Sequence, residues 1–258
     1  MQSEALRLQG VSKTYTGARG SRIAALLPTD LAVREGEFVS LIGPSGCGKS
    51  TLLKVVAGLT PPTQGTITYG WDRASRPGQD IGFVFQDPVL LPWKNVLENA
   101  RFPLEVFGVG REQADRTVLE LLDAVGLGGF ERALPRELSG GMRQRVSIVR
   151  ALAYDPKLLL MDEPFGALDL LTRDLMSDIL LGLWSRSPKT VVFVTHSVEE
   201  AVYLSDRLVV MSPRPGQVKE IMEVDLPRPR DPAVKDTDGF VHWMRRVKAA
   251  LDAQPVAS

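Results

Sequence analysis

One short motif constrains the fold of this 258-residue chain more than any other feature. Residues 43–50 match the pattern G-x-x-x-x-G-K-[ST]. The apolar run at 38–42 precedes the motif and suits a buried strand, and residues 50–56 suit a helix. A strand, a glycine-rich loop and a helix in succession form one unit of a parallel sheet covered by helices. The motif therefore predicts an α/β fold with a mostly parallel sheet core.

The chemistry of this loop predicts a nucleotide site. Its glycines let successive backbone N–H groups turn toward phosphate oxygens, and the following helix directs its positive dipole end to the same place. Lys49 supplies a charge for the β- and γ-phosphates, and the Ser50 hydroxyl completes the coordination of Mg²⁺. We therefore expect ATP and Mg²⁺ as cofactors, the alternative being a chance glycine turn. The predicted nucleotide-binding residues are Gly43, Pro44, Ser45, Gly46, Cys47, Gly48, Lys49, Ser50 and Thr51.

The single cysteine, Cys47, lies inside this loop. A thiol beside a helix N-terminus is acidified and reactive, so we expect alkylation of Cys47 to block nucleotide binding and ATP to protect the thiol. The alternative is a small filler whose side chain takes no part in binding. A lone cysteine excludes an internal disulfide and fits a reducing compartment.

Further apolar runs predict the other strands of the sheet. They are residues 81–85, 158–161, 191–194 and, with a weaker pattern, 208–211. The long stretch between the first two of these runs has helical periodicity, carried by Val118, Leu121, Leu122 and Val125. We predict an ATPase domain at residues 1–225 with a helical subdomain inserted at about 87–155, then a proline-rich segment and an amphipathic helix within 226–258. That last helix either docks on the chain's own core or binds a partner.

Two acidic residues follow the buried run at 158–161. A carboxylate at the C-terminal end of a parallel strand lies at the crevice where such sheets bind ligands. We expect Asp162 to hold Mg²⁺ through water and Glu163 to act as general base on an attacking water. The alternative is a pair of ordinary solvated loop residues.

A second anion site is predicted at the start of another helix. Ser139 is a natural N-cap, and Gly140 and Gly141 leave the first backbone N–H groups of that helix bare. One nucleotide has only one γ-phosphate, so two such sites suggest an ATP shared between two copies of the chain. From chemistry alone, a capped structural helix is an equal alternative.

Charge and hydropathy exclude some classes of protein. Lys plus Arg total 31 and Asp plus Glu total 31, so the chain has no net positive charge that would favour binding to nucleic acid or to an anionic membrane surface. No apolar run approaches the roughly 20 residues that span a bilayer, and the N-terminus lacks the pattern of a signal peptide. We expect a soluble, intracellular chain that meets a membrane only through a partner.

Together these segments resemble the ATPase subunit of an ATP-binding cassette (ABC) transporter. The resemblance covers about residues 5–225 and is made specific by the Ser-Gly-Gly signature. It implies a P-loop NTPase fold with an inserted helical subdomain and an N-terminal antiparallel β region. The matching segments are residues 43–51, Gln86, 138–142, 160–164, Ala167-Leu168-Asp169 and His196.

The resemblance also implies roles for residues that would be unremarkable alone. Tyr15 resembles the aromatic residue that stacks on adenine, and Gln86 the loop glutamine that meets the metal and senses the γ-phosphate. Asp169 resembles the residue that couples the two sites, and His196 the switch histidine that holds the γ-phosphate and the attacking water. The implied homodimer is head to tail, so that 139–141 of one copy close over the ATP of the other.

Closer similarity indicates one branch of the family. Residues 85–93, 139–145 and 195–201 are similar to bacterial importers of nitrate, alkanesulfonates and taurine. Met142 departs from the glutamine that is commonest across the superfamily but suits this branch. The branch implies integral membrane permease subunits, a periplasmic solute-binding protein as an indirect partner, and a peripheral position on the cytoplasmic face of the inner membrane. It does not identify the cargo.

The apolar run at 89–93, Val-Leu-Leu-Pro-Trp, follows Gln86 closely. We expect it to form part of a groove for a helix of the membrane partner, with Trp93 as an anchor. The alternative is a loop tucked into the helical lobe. Two rival functions are a soluble cassette ATPase acting on DNA or ribosomes, and a nucleotide switch without turnover. The balanced charge argues against the first, and the presence of Glu163 and His196 against the second.

Overall fold

In the computed structural model of the protein, residues 3–17, 20–71, 78–166 and 168–252 are described. Within these ranges the strands form two sheets, of which the larger carries the phosphate loop. No helix of these ranges is both long and apolar enough to cross a membrane.

The smaller sheet is antiparallel and N-terminal, and its strands run in the order β2-β1-β4. The larger sheet has the order β5-β6-β7-β3-β8-β9, in which every pair is parallel except β8 and β9. The strands are β1 (Glu4–Thr16), β2 (Arg22–Arg34), β3 (Phe38–Ile42), β4 (Gln64–Tyr69), β5 (Ile81–Val84), β6 (Leu158–Asp162), β7 (Thr190–Thr195), β8 (Arg207–Met211) and β9 (Val218–Glu223).

Helices cover the larger sheet, and three of them form a lobe with its own apolar core. The helices are α1 (Lys49–Val56), α2 (Val96–Val106), α3 (Arg111–Ala124), α4 (Gly140–Leu152), α5 (Leu170–Arg186), α6 (Val198–Leu204) and α7 (Asp238–Asp252). The predicted apolar stripe of α3 lies in the lobe, where Val118 and Leu122 are fully buried.

The α/β class with a parallel core and an N-terminal antiparallel region is confirmed. All residues of β3, β6, β7 and β8 are buried, which is why these strands are nearly uninterrupted apolar runs. Strand β9 was not predicted because it is an edge strand in which three of the six residues, Lys219, Glu220 and Glu223, are charged. The division of the chain into domains at residue 225 stays a prediction.

The C-terminal helix α7 docks on the chain's own core. Phe240, Trp243 and Val247 are buried on one face of α7 and belong to the same apolar cluster as β8. The indole Nε1 of Trp243 donates a hydrogen bond to Asp225 Oδ1 at 2.7 Å. Of the two alternatives for this helix, the structure therefore favours docking over a free partner-binding face.

A buried arginine joins the C-terminal segment to the end of α6. The guanidinium of Arg230 donates to the carbonyl oxygens of Val202, Tyr203 and Ser205 at 3.1, 3.0 and 2.7 Å, and to Leu226 at 3.3 Å. Burial lowers the pKa of Arg230 to about 10. The last carbonyls of α6 have no partner within the helix, so this side chain acts as their cap.

We expect Arg230→Met to lower the free energy of unfolding by about 3 kcal/mol, because it leaves several buried carbonyl oxygens without a donor. Urea denaturation followed by tryptophan fluorescence measures this loss. Arg245→Met, at an exposed position of α7, is the matched control and should unfold like the wild type. Equal stability of the two variants would show that Arg230 does not cap α6.

Candidate functional site

The phosphate loop connects β3 to α1 at the centre of the larger sheet. Gly48 precedes the helix with a φ of 105°, and a Cβ there would lie 2.6 Å from the carbonyl oxygen of Ala25. Glycine is therefore required by both conformation and space. No side chain caps the N-terminus of α1, so its backbone N–H groups stay open to an anion. Pro44, Ser45 and Gly46 are exposed on the outer turn of the loop.

Lys49 is buried and bonded to the loop that it follows. Its ammonium donates to the carbonyl oxygens of Gly43 and Pro44 at 2.8 and 3.0 Å. These two bonds hold the side chain of Lys49 against the backbone of the loop. The arrangement fits the predicted role of Lys49 toward phosphate oxygens.

The structure corrects the expectation for Cys47. The thiol has no exposed surface and packs with Leu52 and Met211 in the apolar cluster beneath the loop. An alkylating reagent has no access to a sulfur in this position, because reactivity requires exposure as well as acidity. The prediction of a reactive, ATP-protected thiol is therefore wrong for this conformation, and the filler interpretation is favoured.

Ser50 and Asp162 meet where α1 begins and β6 ends. The Ser50 hydroxyl donates to Asp162 Oδ1 at 2.7 Å. Burial raises the pKa of Asp162, and the hydrogen bond from Ser50 opposes that shift. A buried carboxylate beside a hydroxyl is a donor set that a hard divalent cation prefers. In the described ranges no cluster of three or more His, Cys, Asp or Glu side chains could hold a metal, so an ion here would complete its shell with nucleotide and water oxygens.

Glu163, Gln86 and His196 form a polar cluster beside the loop. Glu163 leaves β6 with a φ of 47°, and its Oε1 lies 2.5 Å from Nε2 of His196. Gln86 Nε2 donates to Glu163 Oε2 at 3.3 Å. The backbone N–H of Glu163 still bonds to the carbonyl oxygen of Val194 at 3.0 Å, which fixes the turn of the chain away from the sheet. The three predicted catalytic side chains that follow β5, β6 and β7 are thus in contact.

A second network of hydrogen bonds, which sequence reasoning missed, holds the segment between β7 and α6 that carries His196, here called the histidine loop. The Thr195 hydroxyl donates to buried Glu200, and the backbone N–H of Ser197 donates to Thr195 Oγ1 at 2.9 Å. Glu200 also lies 3.3 Å from Arg173 Nε, on the helix that follows Asp169. Burial raises the pKa of Glu200. Ser197 three residues before Glu200 was a helix-capping signal that could have indicated this network.

A cavity of about 250 Å³ lies over the loop. Tyr15, on β1, lines this cavity, and at Tyr15 strand β1 pairs with β2. Two of the lining residues, Ala25 and Arg214, had no sequence signal because neither belongs to a motif. The lining residues are Tyr15, Ala25, Gly46, Gly48, Lys49, Ser50, Thr51, Glu163 and Arg214.

The predicted second anion site lies apart from this cavity. Ser139 caps α4, accepting a hydrogen bond from the backbone N–H of Met142 at 3.2 Å, and Ser139 and Gly140 are exposed. Gly141 lies against Leu168. Within the part of the chain that the structure describes, no hydrogen bond joins residues 139–141 to the phosphate loop.

Asp169 is likewise outside the cavity. It caps α5, accepting hydrogen bonds from the Thr172 backbone N–H at 3.0 Å and from the Thr172 hydroxyl at 2.7 Å. The first of these bonds contributes most to lowering the pKa of Asp169. Its predicted neighbour in the motif, Ala167, lies outside the described residues.

The phosphate loop, the buried Asp162 and the polar cluster around Glu163 define a P-loop ATPase. The sequence matches the family described as "ABC transporter" over residues 26–166, and the chain belongs to that family. An ABC transporter ATP-binding protein of Methanocaldococcus jannaschii is 49% identical over 98% of this chain and 93% of its own length. The chain is an ABC ATP-binding subunit, and it binds and hydrolyses ATP.

Relatives whose names state a function are nearly as similar to this chain. A nitrate import ATP-binding protein of Synechocystis is 46% identical, over 86% of this chain and 83% of the relative. A taurine import ATP-binding protein of Rhizobium johnstonii is 47% identical, over 86% and 85%. Among solved structures, a dimeric ATP-binding cassette in a post-hydrolysis state with ADP and phosphate matches with a TM-score of 0.76 and 35% identity, over 86% of this chain and 100% of that one.

Proposed function

We propose that this subunit energises the import of a small anion through a membrane permease, as one half of a head-to-tail homodimer. The observation that carries the proposal is the separation between the two anion sites of one chain. The capped, exposed start of α4 does not line the cavity over Lys49 in its own protomer, so a second copy is needed to bring residues 139–141 to the ATP held there. The dimeric cassette with a similar fold supports this arrangement.

A Mg²⁺ ion bound with the nucleotide at each site would be held by three side chains of the chain. Ser50 would ligate the ion directly, Asp162 would hold it through water, and Gln86 would reach it from the loop after β5. The ion would supply positive charge when bound; Lys49 neutralises the charge that develops on the γ-phosphate, and the loop amides supply the remaining donors. Tyr15 stacks on the adenine at the outer end of the cavity.

Glu163 polarises the attacking water as general base, and His196 holds the γ-phosphate and that water in place. The distance of 2.5 Å between Glu163 Oε1 and His196 Nε2 supports a joint role of the two side chains at the attacking water. Asp169, at the start of α5, couples the two sites of the dimer, and the Arg173–Glu200 pair links α5 to the histidine loop.

ATP favours the closed dimer because the nucleotide gains contacts from both copies. Hydrolysis removes the bridging γ-phosphate, so that the dimer reopens and the attached permease changes state. Closing and reopening of the dimer therefore drive transport, rather than any change in the cargo.

The surface that meets the permease is the apolar loop at 89–93. Trp93 is 73% exposed and Val89 59% exposed, whereas Leu90 and Leu91 are half-buried, and Leu90 packs against the core of the lobe. Buried Asn99 fixes the loop from below, accepting from the Leu91 backbone N–H at 2.7 Å and donating to the Lys94 carbonyl at 2.7 Å. A rigid loop that presents an exposed tryptophan supports a groove for a helix of the membrane partner.

We expect Trp93→Ala to weaken assembly with the permease by at least about tenfold, because exposed tryptophans at interfaces are frequent hot spots. Basal ATPase activity of the isolated subunit should be unchanged. Affinity capture of the permease subunits encoded beside its gene measures assembly. Ile221→Ala, at an exposed position on the edge strand β9, is the control. Loss of ATP binding in Trp93→Ala would instead assign the side chain a structural role.

The transported solute is a nitrate-, sulfonate- or taurine-like anion, as the names of the relatives suggest. The subunit lies peripherally on the cytoplasmic face of the bacterial inner membrane, and a periplasmic solute-binding protein delivers the cargo. Uptake of labelled nitrate and taurine into proteoliposomes that hold the whole transporter tests the proposal. An active ATPase that binds no permease would overturn it in favour of a soluble cassette ATPase.

A further inference from the structure

The loop between β8 and β9 packs against the phosphate loop and against β2. The backbone N–H of Gly216 donates to the Ala25 carbonyl at 3.1 Å, and Leu27 N–H donates to the Gly216 carbonyl at 2.9 Å. A Cβ on Gly216 would lie only 1.7 Å from the carbonyl oxygen of Cys47, so only glycine fits this contact. The loop is therefore built to approach the nucleotide cavity closely.

The same loop is held rigidly by a serine side chain. The Ser212 hydroxyl donates to the Pro213 carbonyl at 3.1 Å and accepts from the backbone N–H of Gln217 at 3.1 Å. The backbone N–H of Ser212 also donates across the loop, to the Gln217 carbonyl oxygen at 2.9 Å. Any side chain on this loop is thus presented from a preorganised backbone.

Arg214 is the charged side chain that this loop presents. It is exposed and lines the cavity together with Tyr15 and Lys49. In residues 3–17, 20–71, 78–166 and 168–252 no hydrogen bond or ion pair engages its guanidinium. Arginine is a favoured ligand of phosphate oxygens because its planar guanidinium offers several N–H donors. A preorganised, unpaired guanidinium at a nucleotide cavity calls for an anionic partner.

The order of the sheet decides which end of the nucleotide Arg214 faces. Strand β3 has β7 on one side and β8 on the other. Glu163 and His196 follow β6 and β7, whereas Arg214 follows β8. The loop of Arg214 also bonds to β2, the strand that pairs with β1 at Tyr15. Arg214 therefore lies on the side of the phosphate loop toward the nucleoside and away from the γ-phosphate.

We propose that Arg214 is a second cationic ligand of the nucleotide, and that its guanidinium binds the phosphate chain at the α-phosphate end. This inference rests on the proposed function, whose ATP site it extends. Lys49 binds the β- and γ-phosphates from inside the phosphate loop. Arg214 binds the α-phosphate end of the nucleotide from outside that loop. Arg214 is a binding residue for ATP and ADP alike, so it lowers KM without contributing to the hydrolytic step.

Displacement of a fluorescent ATP analogue by ATP, ADP, AMP or adenosine, with Mg²⁺ present, tests the proposal. For Arg214→Gln we expect affinities for ATP, ADP and AMP to fall about tenfold, the size of one partly exposed charge-assisted contact. Adenosine affinity should not change. Arg214→Lys should recover most of the lost affinity. High ionic strength should reduce the difference in affinity between Arg214→Gln and the wild type.

Kinetics and a matched variant complete the test. Arg214→Gln should raise KM for ATP about tenfold and leave kcat unchanged, since the contact exists in the ground state and the transition state equally. Arg245→Gln, at an exposed position of α7, removes the same charge elsewhere and should bind every competitor as the wild type does. The melting temperature should be the same for all three proteins without nucleotide.

Wild-type affinity for all four competitors in Arg214→Gln would overturn the inference. If adenosine and ATP lost affinity equally, the guanidinium would bind the base rather than a phosphate. That result would also overturn the assignment of Arg214 to the phosphate chain. Failure of the proposed function looks different. A wild-type protein that binds ATP but energises no uptake would refute import, while the Arg214 result would stand.

Discussion

Glu163→Gln is expected to bind ATP as the wild type does and to lower turnover at least about a hundredfold, the usual contribution of a positioned general base. The amide keeps the size of the side chain and can still bond to Gln86 and His196, but it cannot accept the proton of the attacking water. Because the γ-phosphate then persists, the variant should accumulate as a closed dimer with ATP and Mg²⁺. Phosphate release and light scattering after size-exclusion chromatography measure the two effects.

The matched control for this variant is Glu120→Gln, which makes the same glutamate-to-glutamine substitution at an exposed position of α3. It should hydrolyse ATP at the wild-type rate and show no trapped dimer. Turnover that is unchanged in Glu163→Gln would remove Glu163 from the role of base. His196, which lies 2.5 Å from the same carboxylate, would then be the next candidate for activating the water.

Lys49→Ala is expected to reduce ATP affinity by at least about a hundredfold. The wild-type ammonium makes charge-assisted bonds to phosphate oxygens, and such bonds contribute about 1.5–3 kcal/mol each. The variant also loses the two bonds that hold the Gly43 and Pro44 carbonyls in the loop. Isothermal titration with Mg²⁺-ATP measures the affinity, and the rise in melting temperature on adding ATP should disappear with it.

Lys248→Ala, at an exposed position of α7, removes one positive charge without touching the loop and should bind ATP normally. If Lys49→Ala kept wild-type affinity, the phosphate site would have to rest on backbone amides alone. That outcome would also weaken the assignment of Mg²⁺ to Ser50 and Asp162, because this assignment assumes that Lys49 holds the nucleotide beside them.

The sequence by itself determined the central features of the site. The eight-residue motif at 43–50 lies between an apolar run and a helical one, so it specified both the loop and the strand–loop–helix unit that carries it. Asp162 and Glu163 were predictable for the same reason, since Asp162 ends a buried strand and Glu163 follows it directly. Such features depend on neighbours in the chain, and local pattern is sufficient to predict them.

The tertiary structure decided what depends on the order of the strands. Gln86, Glu163 and His196 follow three different strands and meet only because β5, β6 and β7 are adjacent. Cys47 looked reactive in sequence, but the core beneath the loop buries it. Arg214 carried no motif, and only the packing of the β8–β9 loop against β2 and the phosphate loop brings it to the cavity. Burial and approach between distant segments come from the packing of the whole chain, which no local pattern encodes.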